Sequence, residues 1–342
     1  MPVKKKQPDK STRGATSYDV ARQAGVSQSA VSRAFSPGAS VAPKTRAAIM
    51  DVARVLGYQP NAIAQGLITR RSNLVAIIIS NLTNLYYPEV LAELTQRLSE
   101  HGIRVLLFSL ATESDVDDVL DQVWRYRVDG AIVAARLHPE QLQAFEDRGV
   151  PVVLYNRIGE TMPVASICCD SANGERQLVD GLVAANHQVF GIIAGPADSY
   201  VGEERTQSAI KRLHAQGREA LIVRGNFDYE SGDKGLRDLM RMTDNKMDAL
   251  ICANDLMAIG AIDSARSNFG LIVPENLSIV GFDGVSPATW LAYQVTTIRQ
   301  PVSRMTDAAV TMLVERIEDP DTPSEQRLFA GQLLPGRSAR LK

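Results

Sequence analysis

The segment Gln28-Ser29-Ala30-Val31-Ser32-Arg33 mixes two kinds of side chain at a spacing that can separate them. Wound as a helix that runs on to Ala34, it turns Ala30, Val31 and Ala34 inward and Gln28, Ser29, Ser32 and Arg33 outward. The outward set offers a carboxamide, two hydroxyls and a guanidinium, all suited to hydrogen bonding with a polar surface. No histidine stands near to make a nucleophile of either serine. Such a face could simply be solvated, as on many helical hairpins. The surrounding charge argues otherwise: the first 71 residues carry 12 Lys and Arg against 3 Asp and Glu, a net of +9. The other 271 carry 25 and 36, a net of −11, so the overall −2 hides two regions of opposite character. A basic arm on an acidic body points to a polyanionic partner for the arm.

Three short helices are needed to hold that face. The stretch TSYDVARQA (16–24) repeats Val20, Ala21 and Ala24 at helical spacing, with Asp19 near its start, where the helix dipole favours an acid. Gly25 permits a sharp reversal, and Ser27 is a good N-cap for the helix that bears the polar face. A short helix, a tight glycine turn and a second helix displaying hydrogen-bonding side chains make a helix-turn-helix. A third helix is expected from Pro43 to Leu56, with Gly57 just past its end and Ile49, Val52, Ala53 and Leu56 backing the other two. Residues 1–15 are polar and read as a flexible lead-in, to which Lys4, Lys5 and Lys6 add phosphate affinity. AIAQGLITRR (62–71) reads as a helix too short to stand alone, weakened further by Gly66. The arm therefore divides into a tail (1–15), a headpiece (16–60) and a hinge helix with linker (61–71).

Other reactive chemistry is not spelled out. Cys168 and Cys169 are adjacent and read as the end of a strand; Cys252 is distant, and no CxxC pair exists. His101, His138, His187 and His214 lie tens of residues apart, whereas structural zinc needs closely spaced ligand pairs. There is no GxGxxG after a strand, no GxxxxGK[ST] and no GxSxG. No metal, cofactor or catalytic residue is expected, and the chain does not read as an enzyme. Hydrophobic content of 45% and charged content of 22% exclude a wholly disordered or collagenous chain. No apolar run approaches the length of a membrane span, and the basic N-terminus lacks the apolar stretch of a secretory signal, so a cytoplasmic protein is expected.

From Leu74 onward, apolar runs such as LVAIIIS (74–80), GAIVAA (130–135), FGIIAG (190–195) and LSIVGF (277–282) alternate with amphipathic helical patterns. Continuous apolar strands separated by helices mean parallel sheet covered on both faces. Eight or more such units exceed one average sheet, which predicts an α/β body of two doubly wound lobes, a geometry that clamps ligands at strand ends.

From Thr16 to Arg71 the chain resembles the DNA-binding headpiece and hinge of the lactose-repressor family (LacI/GalR type) of bacterial transcriptional regulators. The resemblance is carried by YDVAxxAGVS, VSRAF, KTRAAI and LGYxPNAIAxxL, in order. It implies that Gln28 and Ser29 form the specificity pair in the major groove and that Arg33 also reaches bases; Arg commonly reads guanine and Gln adenine. Ser27, Ser32 and Asn61 would contact or position phosphates, and Leu67 would wedge into the minor groove and kink the duplex. Gly66 departs from the helix-favouring residue usual there, so hinge ordering should lean more on DNA and dimerisation.

The body is similar to the same family's effector domain, itself similar to periplasmic sugar-binding proteins. PVVLYNR, CDSANGERQLVDGL, IAGPADS with Arg205 ten residues after Gly195, CANDLMAIGAI, LSIVGFDG and TTIRQP carry the likeness. It implies that Arg205 and Asp283 line a cleft between the lobes and hydrogen-bond the effector. Asn254, Phe227, Asn156, Arg157 and Tyr87 would complete the pocket, with Phe227 and Tyr87 stacking on a sugar face or base. Phe227 and Tyr87 could instead be core, and Asn156–Arg157 a solvated strand end. Apolar Val201, where purine-sensing relatives are polar, disfavours a purine; Arg157 as a second cation suits a sugar acid or sugar phosphate. The implied N-lobe is about 72–161 with 299–322, and the C-lobe about 162–298 with 323–342. The whole reads as a repressor binding a pseudo-palindromic operator in double-stranded DNA as a homodimer, nucleoid-associated in the bacterial cytoplasm, under a small-molecule effector. A solute-binding protein or an α/β enzyme with no DNA-binding role is the rival. The tail lacks an apolar heptad, so no tetramerising coiled coil is expected.

Overall fold

The computed structural model of the chain describes residues 14–36, 38–60, 71–110, 116–159 and 162–342. They divide into two compact units, Met1–Ser72 and Asn73–Lys342.

The first unit contains α1 (Ser17–Ala24), α2 (Gln28–Ala34) and α3 (Pro43–Leu56). The Thr16 hydroxyl accepts from the Asp19 amide while the Asp19 carboxylate accepts from the Thr16 amide, a capping box that fixes the start of α1. Gly25, at φ 67°, makes the left-handed turn out of α1, and the Ser27 Oγ accepts from the Ala30 amide to begin α2. Val20, Val31 and Ile49, one from each helix, are fully buried together with Ala21, Ala34 and Ala53. Arg46 on α3 donates to the Ala34 and Ala39 carbonyls, closing the C-terminus of α2 and pinning the loop that follows.

The second unit holds two six-stranded sheets. The first begins with β1 (Leu74–Ser80), α4 (Tyr86–Glu100), β2 (Arg104–Leu110), α5 (Val116–Tyr126), β3 (Gly130–Ala134), α6 (Pro139–Asp147), β4 (Val152–Tyr155) and β5 (Ala165–Cys169). The second follows with α7 (Ser171–Ala184), β6 (Phe190–Ala194), α8 (Tyr200–Ala215), β7 (Ala220–Arg224), α9 (Tyr229–Met242), β8 (Ala249–Cys252), α10 (Asp255–Phe269), β9 (Ser278–Asp283) and β10 (Thr296–Arg299). The chain then returns through α11 (Val302–Glu318) and β11 (Gln326–Phe329) before finishing with β12 (Gln332–Leu334). The strand orders are β11-β5-β4-β3-β1-β2 and β12-β10-β9-β8-β6-β7; every pair is parallel except β10 with β12.

The crossings between lobes differ from the limits the resemblance implied. β5 and β11 belong to the first sheet, so the chain crosses at Asp170, at Gln300–Pro301 and at Ala330–Gly331 rather than near 161, 298 and 322. QRLF and QLL lie at sheet edges and are half exposed, so they carry no continuous apolar run to mark them. The crossings run side by side: the Asp170 amide donates to the Phe329 carbonyl at 2.9 Å. A Cβ on Gly331 would stand 2.4 Å from Ile298, so only glycine fits there. Among the described residues no helix is long and apolar enough to cross a membrane.

Candidate DNA-reading face and ligand cleft

Val31 and Ala34 seat α2 on the headpiece core and leave Gln28, Ser29 and Arg33 exposed. Ser27 is also exposed, but its hydroxyl already caps α2 and lies 2.9 Å from the Ser29 hydroxyl. Ser32 is half-buried, and its carbonyl accepts from Ser36 Oγ. Gln28 Nε2 sits 3.5 Å from Ser17 Oγ, so α1 and α2 present their N-terminal ends together. Asn61 and Leu67 lie outside the described residues, as do Lys4, Lys5 and Lys6.

In the body, the candidate ligand residues gather at C-terminal strand ends, where open parallel sheets hold their ligands. Tyr87, Asn156, Arg157, Arg205, Phe227 and Asp283 line one space together with Ser80, Asn81, Asn84, Tyr86, Ser199 and Val201. Asn81, Asn156, Phe227 and Asp283 all have positive φ, at 54°, 58°, 61° and 110°. Such backbone is costly for residues other than glycine and concentrates where a site needs side chains aimed off a strand. The enclosed volume is about 10 Å³, on the order of one water molecule. These side chains therefore lie close together, and a ligand larger than water must displace some of them to enter.

Arg205 and Asp283 form the centre of this wall, each only 2% exposed. Arg205 donates to Asp283 Oδ1 at 2.9 Å and to the Ala253 carbonyl at 2.7 Å, and lies 3.9 Å over the Phe282 ring. Asp283 also accepts from Gln300 Nε2 at 2.7 Å, which ties the ligand wall to a lobe crossing. Burial raises the Asp283 carboxyl above its usual range, opposed by the Arg205 charge and the Gln300 hydrogen bond. Burial lowers the Arg205 guanidinium, but the charges of Asp283, Cys169 and Glu175 and the hydrogen bond to Asp283 together outweigh it, and the net shift is upward. The two groups thus meet as an ion pair in a dry setting, each opposing the cost that burial imposes on the other's charge.

Asn254 is held by contacts of its own. It is not part of the cavity lining; its Oδ1 caps α10 by accepting from the Met257 amide, and its Nδ2 donates to the Phe227 carbonyl at 3.0 Å. It therefore fixes the Phe227 turn. The Phe227 ring in turn rests where Gly195 and Gly202 leave room, since a Cβ on Gly195 would approach it to 2.6 Å. Asn156 Oδ1 is a buried acceptor with no partner among the described residues, able to take a ligand hydroxyl. His187 is fully buried in the second lobe, away from the lining. Cys168 and Cys169 end β5, buried and reduced, with thiols pushed up to about 12 mainly by burial.

Sequence reasoning missed two buried carboxylates behind the wall. Asp255 on α10 accepts from Thr297 Oγ1 at 2.6 Å and from the Val285 amide at 2.8 Å, bracing the turn after Asp283. Glu175 on α7 is buried close enough to feel the Arg205 charge. Both are pushed up to about 8, first by burial. Asp255 directly follows the cap residue Asn254, which was the one signal available for it.

A helix-turn-helix unit joined in sequence to two parallel α/β lobes with a polar wall at their strand ends defines a DNA-binding module coupled to a ligand-binding body. Residues 16–61 match the family described as bacterial regulatory proteins, lacI family, and residues 179–339 match the periplasmic binding protein-like domain. The chain is 31% identical over 319 residues to the HTH-type transcriptional repressor PurR of Yersinia enterocolitica, covering 90% of this chain and 93% of that one. Its fold matches a crystal structure of the Lac repressor dimer bound to operator and the anti-inducer ONPF, with TM-score 0.86, 26% identity and coverage of 95% and 99%. It also matches the complex of the transcriptional regulator CelR with cellobiose, with TM-score 0.71, 29% identity and coverage of 95% and 99%. The chain belongs to the lacI family of bacterial regulatory proteins. It is a DNA-binding transcriptional regulator and not an enzyme.

Proposed function

We propose that this regulator represses transcription as a homodimer on a pseudo-palindromic operator, and that a sugar or sugar derivative between the lobes controls it. The observation that carries the DNA half is α2, whose Gln28, Ser29 and Arg33 stand exposed on a helix locked by its buried face. Two such headpieces address two half-sites, and Leu67 from each hinge enters the minor groove between them. Ser27 and Ser32 sit beside phosphates, with Asn61 on the backbone at the start of the hinge. A protein with this target works in the bacterial cytoplasm, at the nucleoid.

Dimerisation is supported by the sheet edges. Leu107 on β2 and Leu221 with Ile222 on β7 are exposed apolar residues on the outermost strand of each sheet, and Leu291 is 91% exposed. Covering such edges with a second copy removes both unpaired backbone and apolar area from water.

The sugar assignment is supported by the chemistry of the wall: Asp283 and Asn156 accept, Arg205 donates, and Tyr87 and Phe227 supply aromatic faces. The ligand-bound Lac repressor and CelR structures favour the same reading. Ligand-driven movement of the lobes about the three crossings shifts the paired N-lobes and so favours or disrupts the hinge pair, a coupling of roughly 1–3 kcal/mol.

The test is a mobility shift with the chain's own promoter fragment, followed by Arg33→Ala. The variant should lose about 1–3 kcal/mol on the operator and relax one base position. Equal loss on every sequence would make Arg33 a phosphate contact and remove it from the reading set.

A further inference from the structure

At the end of the second lobe where its strands begin, His187 follows α7 and is fully buried. Neither ring nitrogen makes a hydrogen bond among the described residues. Such a setting accepts the neutral ring and resists the charged one. The Asp248 carboxylate, just before β8, lies 3.9 Å from Nδ1, but its oxygens already accept from the Gln188 and Val189 amides. Arg340, on the segment after β12, is the cation that acts on the ring, while Asp180 on α7 is engaged with Arg212. Burial lowers the proton affinity of the ring; Asp248 opposes this, Arg340 reinforces it, and the net shift is downward.

The segment 336–342 closes over this end of the lobe through separate bonds, with no sheet ladder of its own. The Ser338 carbonyl accepts from the Ile279 amide, and its hydroxyl accepts from the Thr296 amide. The Arg340 amide donates to Ser278 Oγ, and the Lys342 amide to the Gly181 carbonyl on α7. We propose that His187 pins an acid-released clasp: a neutral ring keeps the segment 336–342 closed, and a proton on the ring lets it go. With the segment closed, the ring excludes a proton. With the segment away, the ring is hydrated and takes one in the ordinary imidazole range, near about 6.5. Falling pH therefore favours the open form by at most one proton, which amounts to about tenfold between about pH 7.5 and about pH 5.5. β9 and β10 begin beneath the clasp and end at Asp283 and Arg299, so release loosens the strands that carry the ligand wall. Nothing in this depends on which ligand the cleft takes.

The experiment follows amide hydrogen exchange of residues 336–342 in the full-length protein across that range, each rate corrected for the intrinsic chemical rate at its pH. In the wild type, protection should fall by up to about tenfold towards acid. His187→Gln cannot take the proton and should give a flat profile. A variant whose segment is looser at every pH still reads the clasp, because the slope reports the proton and the level does not. Equal slopes in wild type and variant would show that another group carries the proton and would overturn the proposal. A flat wild-type profile would overturn it as well, since the segment would then hold whatever the state of the ring.

Discussion

The reading face of α2 and the wall of the cleft both work through hydrogen bonds, yet they are built in opposite ways. The face is drawn from six consecutive residues, its polar groups are left in water, and its precision comes from the apolar side of the same helix. The wall is drawn from strand ends and helix residues spread from Ser80 to Asp283, its charges are buried in contact with each other, and four of its residues have left-handed backbone. A partner as large and charged as DNA can meet solvated side chains, because phosphate contacts supply most of the affinity. A small molecule offers no such reserve. Its site must be organised beforehand, and the fold carries the cost: about 1–3 kcal/mol for each strained residue, plus the burial of charge. If so, damage to the wall should harm folding, whereas damage to the face should harm only recognition.

The largest effect should come from Asp283→Ala. It leaves the Arg205 guanidinium buried without its counter-charge, a change that typically costs about 3–5 kcal/mol, and it strips Gln300 Nε2 of its acceptor. Chemical denaturation of the body should show the loss, and ligand response should vanish with it. Full stability in this variant would mean that water replaces the carboxylate, and the wall would be no more dependent on burial than the face. Ile49→Ala probes the other unit at a comparable size. Ile49 is fully buried in a core with only six buried apolar residues among those described, so about 2–5 kcal/mol should be lost there. Operator binding should disappear while ligand binding by the body persists; loss of both would show that the two units do not fold independently.

The same contrast explains what could be read from residue order. Every helix of the headpiece follows from local signals: Gly25, Ser27, Pro43 and Gly57 stand where the chain turns, caps, starts and stops. The apolar runs that became β1, β3, β6 and β9 were visible because strands covered on both faces have nowhere to place polar residues. β11 and β12 were not, being short edge strands with one side in water. In the cleft, Arg205 and Asp283 came from motif resemblance alone. Nothing local says that a helix residue and a strand-end residue 78 positions apart should meet. The contacts of Asn254 are hidden in residue order for the same reason: its partner is the Phe227 carbonyl, 27 positions away. Glu175 and Asp255 looked like ordinary helix acids until packing closed over them.

Glu175 offers a sharper test of how much burial the wall imposes. Its carboxyl is pushed up to about 8 by burial, partly offset by Arg205. Between the ordinary carboxylate range and that value, the folded chain keeps a proton that the unfolded chain has lost. Rising pH therefore favours the unfolded state: stability is full in mild acid and falls as pH climbs towards 8. Glu175→Gln removes the titration while keeping the shape. The variant should match the wild type near pH 5 and exceed it near pH 8, by on the order of 1–3 kcal/mol. Asp255 titrates over the same window in both proteins, so the difference between the two profiles isolates Glu175. Parallel profiles would mean that Glu175 is ionised inside the fold, balanced by Arg205.

The smallest effect is the most informative about switching. Arg299 on β10 donates to the Gly284 carbonyl, beside Asp283, and to Glu89 on α4 of the other lobe. The ion pair thus spans the lobes next to the crossing that carries Gln300, and parting the lobes breaks it. Its side chains are 30% and 44% exposed, so it is worth only about 0.2–1 kcal/mol. That is too little to hold the lobes alone, yet enough to bias an equilibrium between open and shut forms. If ligand is held in a shut form, Glu89→Ala should leave folding unchanged and weaken ligand binding by at most about fivefold, with less sensitivity to salt. Tighter binding in the variant would mean that the ligand prefers parted lobes and that the ion pair works against it. Because coupling is reciprocal, the sign found for ligand must reappear in how ligand shifts operator affinity. A substitution in the body would then read out, through DNA, which lobe arrangement the headpieces prefer.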